Sequence, residues 1–117
     1  MHPILRCLLA CCLLPFLFGA CQKPQSADGI IVPEEKLIAT LADIHIAEAA
    51  LQTLRGGTKD SMAALYYEQI YEMHQVEAQE VEESLQALRK QPEKMDALYQ
   101  KVMEKIETLE AESKSQQ

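Results

Sequence analysis

Four side chains able to carry acid–base or ligand chemistry stand out in this chain: Asp43, His45, Glu48 and His74. Asp43 and His45 do not form a dyad if the segment is helical, because residues two apart point to opposite sides of a helix. His45 and Glu48, at i and i+3, are neighbours instead. Glu48 then projects into the apolar face of that helix, where a carboxylate must find a partner or lose its hydration uncompensated. Two readings stay open. With His74 the pair forms a small metal or proton-transfer site; alternatively, a His45–Glu48 hydrogen bond locks helix packing, or Glu48 reaches solvent at a groove edge. Three metal ligands are not visible as a set, so neither a metal nor a cofactor is expected. A second candidate is a partner groove lined by Tyr66, Tyr67, Ile70 and Met73, adaptable residues that suit a docked helix or client segment. Its alternative is ordinary core packing with tyrosine hydroxyls at the rim. No nucleophile motif, phosphate-binding loop or paired catalytic carboxylates occur, and the expectation is a non-enzymatic protein with no small-molecule substrate.

The elements that must position these residues are helices. Leu37, Leu41, Ile44 and Leu51 recur on one face, with Ile38 at its edge, over a predicted helix 33–55. Pro33, Glu34 and Glu35 suit its start, and Arg55 followed by Gly56-Gly57 suits its end. A second helix, 60–73, opens on Asp60 and carries Met62, Tyr66, Ile70 and Met73 as one stripe. A turn at His74-Gln75-Val76 separates it from a third helix, 78–90, with the stripe Val81, Leu85, Leu88. Gln91-Pro92 ends that helix and begins a fourth, 92–110, with Met95, Leu98, Tyr99, Val102, Ile106 and Leu109 in register. Residues 113–117 are expected to fray. No strand pattern competes, so the fold class is all-α, a small bundle of about four helices.

The N-terminus is of another kind. Arg6 is the only charge before Cys21, and an apolar run from Cys7 to Phe18 follows it. This run is shorter than the ~20 apolar residues of a membrane-spanning helix and has the parts of an export signal. Leu17-Phe18-Gly19-Ala20-Cys21 resembles the lipobox of bacterial lipoproteins, in which the cysteine is cleaved free and lipidated. The organisation expected is a signal peptide at 1–20, lipid attachment at Cys21, a flexible linker over 21–29 and a helical domain over 30–112. Membrane contact then comes through Cys21, because several acyl chains anchor permanently. Cleavage removes three of the four cysteines, so no internal disulfide can form. It leaves 10 basic against 18 acidic residues, a net charge of −8. Such a domain repels phosphate backbones, which excludes nucleic acid as a partner. Gln22 after the cysteine, where aspartate retains some lipoproteins in the inner membrane, favours the outer membrane facing the periplasm. A domain this small has a thin stability margin, and an envelope protein covering part of one helix face is the partner expected.

The order of these features is similar to a known family. After the lipobox and spacer come Ile31-Val32-Pro33, then Leu41-Ala42-Asp43-Ile44-His45-Ile46-Ala47-Glu48-Ala49. Tyr67-Glu68-Gln69-Ile70-Tyr71, His74, Ser84-Leu85, Pro92 and Leu98-Tyr99 complete the pattern. Together they resemble a family of small helical lipoproteins from Bacteroidetes classed as a domain of unknown function (number 4296), over about residues 31–109. The resemblance implies a lipid-anchored, all-helical envelope protein and carries no activity with it. Members usually have a glycine-containing turn and a Ser/Thr cap after the histidine matching His74, where this chain has Gln75-Val76-Glu77.

Overall fold

The helix signals are realised as four helices in a computed structural model that describes residues 27–116. Cys21, the signal peptide over 1–20 and most of the expected linker lie outside the described residues. The helices are α1 (Glu34–Leu51), α2 (Gly56–His74), α3 (Ala78–Arg89) and α4 (Pro92–Ser115). Helix α1 is the hub, packing against both α2 and α4, while α3 packs on α4.

The core follows the predicted stripes of α1, α3 and α4 with two polar additions, while the stripe predicted for α2 stays out of it: Ile70 is buried outside this cluster and Met73 is 63% exposed. Val32, Leu37, Leu41, Ala42, Val76, Val81, Leu88, Leu98 and Val102 form one buried cluster. Thr40 and Ser84 are equally buried. Thr40 satisfies its hydroxyl within α1 by donating to the Lys36 carbonyl at 2.7 Å. Ser84 does more. Its Oγ accepts the backbone N–H groups of Ile31 and Val32, both at 3.0 Å, and donates to the Glu80 carbonyl. One hydroxyl on α3 thereby holds the extended lead-in, residues 30–33, by satisfying the N–H groups of Ile31 and Val32. Gly29, at φ +74°, turns the chain where a Cβ would meet that of Ala87 at 3.4 Å. Ion pairs Asp28–Lys94 and Glu34–Lys101 add exposed ties to α4.

Three helix boundaries differ from the sequence expectation. Helix α1 stops at Leu51, not Arg55: Thr53 and Leu54 donate to carbonyls three residues back and tighten the chain out of the helix. Arg55 is extended and precedes α2, and Gly56, at φ +63°, makes the corner into α2 instead of capping α1. Asp60 therefore sits inside α2 and does not cap it. Helix α4 runs on to Ser115, beyond the expected stop at 110. Its last turns lack apolar period but are rich in strong helix formers with no breaker.

The turn between α2 and α3 falls at the expected place. Gln75 adopts the left-handed conformation at φ 53°. The Val76 N–H reaches the Tyr71 carbonyl and the Gln75 N–H the Glu72 carbonyl, both at 3.1 Å. These are the two bonds of a Schellman turn, with Val76 as its buried apolar contact. Glu77 and Glu80 then form a reciprocal capping box at the start of α3. A glutamate does the work of the usual Ser/Thr.

Candidate binding cleft

The polar residues of α1 are divided among different neighbours. Asp43 faces the end of α2, where its Oδ2 lies 2.6 Å from His74 Nε2. Glu48 meets the middle of α2: Tyr67 donates its hydroxyl to Glu48 Oε1 at 3.2 Å. His45 Nδ1 stands 3.8 Å from Glu48 Oε2, and its ring meets Tyr99 of α4 edge-on, with centroids 6.1 Å apart. The structure thus pairs His74 with Asp43, where the sequence had grouped it with His45 and Glu48. Among the described residues no group of three or more His, Cys, Asp or Glu is placed to hold a metal ion. Glu48 is half exposed rather than sunk in the apolar face. It sits at a groove edge.

That groove is a cleft of about 290 Å³ shared by all four helices. Leu41, Ile44, Tyr71, Val81 and Leu85 supply its apolar walls, and His45, Glu48, Glu82 and Tyr99 its polar rim. No lysine or arginine lines it. Glu82 is held ionised: hydrogen bonds from Gln86 and Arg89 draw its carboxyl below the usual range. Both of those bonds end on Oε1. Tyr71 titrates above its ordinary value, first through burial and then through the charge of Glu82. Tyr67 does the same through burial and then through Glu48. Two tyrosine hydroxyls therefore register a negative field from the two carboxylates.

The groove expected from Tyr66, Tyr67, Ile70 and Met73 is distributed differently. Ile70 is buried, Tyr66 and Tyr67 are half-buried, and Met73 is 63% exposed. Tyr67 serves the Glu48 contact. Sequence reasoning missed Glu82 and Tyr99 as rim residues, because their meeting depends on how α3 and α4 pack. It also missed Ser84 as the anchor of the lead-in; the signal was a serine within the apolar stripe Val81-Ser84-Leu85-Leu88.

The family described as "Domain of unknown function (DUF4296)" matches residues 29–112. The chain belongs to this family. The match begins at Gly29, where the lead-in turns onto α3, and ends inside α4, so it takes in the Ser84 anchor and the whole cleft. Cys21 precedes it. No curated protein and no solved structure matches the chain.

Proposed function

We propose that this is a lipid-anchored cell-envelope lipoprotein whose helical domain is non-catalytic and binds another envelope protein, or a client segment of one, in the four-helix cleft. The cleft is the observation that carries the reading. It has apolar walls and an acidic rim, and Tyr99, which lines it from α4, is 39% exposed. A small single-core domain gains stability when a partner covers such a surface. Attachment rests on Leu17-Phe18-Gly19-Ala20-Cys21, with Gln22 favouring the outer membrane and its periplasmic face. Among the described residues no helix is long and apolar enough to cross a membrane, and a lipid on Cys21 supplies the membrane contact.

Mass spectrometry of the processed protein tests attachment. The expected N-terminus is an acylated Cys21, and Cys21→Ser moves the protein out of the membrane fraction. An unmodified cysteine contradicts it. Partner binding is tested by crosslinking in intact cells before extraction: a defined envelope protein is expected to join the wild-type chain, and a chain that stays uncrosslinked contradicts the reading.

A further inference from the structure

We infer that the cleft receives a cationic side chain, an arginine or lysine, carried between apolar residues on a segment of the partner. The inference rests on the partner-binding reading above and specifies the chemistry of the occupant.

Charge complementarity decides it. Glu48 and Glu82 stand on the rim of one cleft that no lysine or arginine lines; Arg89 pairs with Glu82 from outside it, and His45, on the rim, stands 3.8 Å from Glu48. Each has an oxygen outside its main hydrogen bonds: Tyr67 bonds Glu48 through Oε1, and Gln86 and Arg89 bond Glu82 through Oε1. Tyr71 and Tyr99 line the same space, and a guanidinium or ammonium group is attracted to aromatic rings. The walls of Leu41, Ile44, Val81 and Leu85 take the aliphatic stem and its apolar neighbours. A neutral occupant would gain nothing from the two carboxylates and an anionic one would be repelled, the exposed Arg89 pairing offsetting Glu82 only in part.

The larger cleft of the molecule, about 600 Å³ between the lead-in and the α2–α3 turn, does not make this case. Lys36 stands in it beside Glu34 and Glu80, and Glu34 is already paired with Lys101 while Glu80 caps α3. Its charges are mixed, with Lys36 lining it among the carboxylates, which sets it apart from the cleft of Glu48 and Glu82.

The test uses the processed full-length chain, kept in mild detergent, and two fluorescent peptides. One carries a single arginine flanked by leucines; the other has citrulline, its uncharged isostere, in place of the arginine. Anisotropy titration is expected to show the arginine peptide binding about tenfold more tightly, the range of a charge-assisted contact. Glu48→Gln and Glu82→Gln are each expected to reduce that preference about threefold or more, both residues being exposed enough for the fold to survive. Glu110→Gln, about 16 Å along α4 from Tyr99, is the control for general attraction to an acidic domain and leaves the preference unchanged. Equal binding of the two peptides, no binding of either, or equal losses in all three variants overturns the cationic occupant. None of these results touches the in-cell crosslinking, which reports separately on whether the protein has a partner.

Discussion

His74 Nε2 lies 2.6 Å from Asp43 Oδ2, so the last residue of α2 is bonded to the middle of α1. Both side chains are largely shielded, at 17% and 27% exposure. A histidine at a helix C-terminus also meets the negative end of the dipole. Asp43→Asn and His74→Ala are each expected to cost about 1–2 kcal/mol, as a shielded charged hydrogen bond does. A double-mutant cycle by urea denaturation should give a coupling of at least about 0.5 kcal/mol; independent effects would show that the two residues act separately.

Ser84 and Thr40 are both fully buried, yet their losses should differ. Ser84→Ala strips the acceptor from two backbone N–H groups, and burying such donors unpaired costs about 1–3 kcal/mol each. Thr40→Val removes only a hydroxyl bonded back to its own helix, and a change under about 1 kcal/mol is expected. Limited proteolysis should also cut Ser84→Ala earlier, within residues 27–33. Equal stability of the two variants would contradict the anchor role.

Gln75 occupies a left-handed position that favours glycine. Gln75→Gly relieves that backbone cost, about 1 kcal/mol for an L residue, and returns part of it through a freer unfolded chain. The expected outcome is a gain of up to about 0.5 kcal/mol in thermal or urea unfolding. A clear loss would mean that the Gln75 side chain supports the turn in a way the Schellman bonds do not explain.

Alkaline pH should weaken the fold through Tyr67 and Tyr71. Both titrate above the ordinary tyrosine value of about 10 in the folded protein, chiefly through burial and then through Glu48 and Glu82 respectively. The unfolded chain therefore releases these protons first. Their contribution is complete below the ordinary value and is lost as pH rises through the folded value. Glu82 has the opposite sign: its lowered value contributes above the ordinary carboxylate range and fades as pH falls. Urea midpoints measured between pH 8 and 11 should decline less in Tyr67→Phe than in wild type; parallel curves would contradict the assignment.

Most of the fold was legible because its signals are local. Period and end chemistry gave four helices, with Pro92 marking the start of α4; the Glu77–Glu80 cap of α3 was not legible, because a glutamate stands where the usual Ser/Thr would signal it. Gly56-Gly57 misled because paired glycines suit either side of a corner, and only the tertiary path shows which helix they serve. The site was harder to read. The i,i+3 spacing brought His45 and Glu48 together, but the pairing of Asp43 with His74 depends on the angle between α1 and α2. Glu82 and Tyr99 reach the cleft only through the packing of α3 and α4. Spacing along one helix says nothing about which residues another helix delivers.

The proposed partner sits in the four-helix cleft, against Tyr99. A photo-crosslinking amino acid placed at Tyr99, in living cells and on the full chain, tests it most directly. The prediction is a single envelope protein crosslinked from position 99 and absent when the same probe stands at exposed Lys59, near the start of α2. The yield at 99 should fall when Glu48→Gln and Glu82→Gln are combined. Crosslinks of equal strength from both positions, or none from position 99, would contradict docking in the cleft.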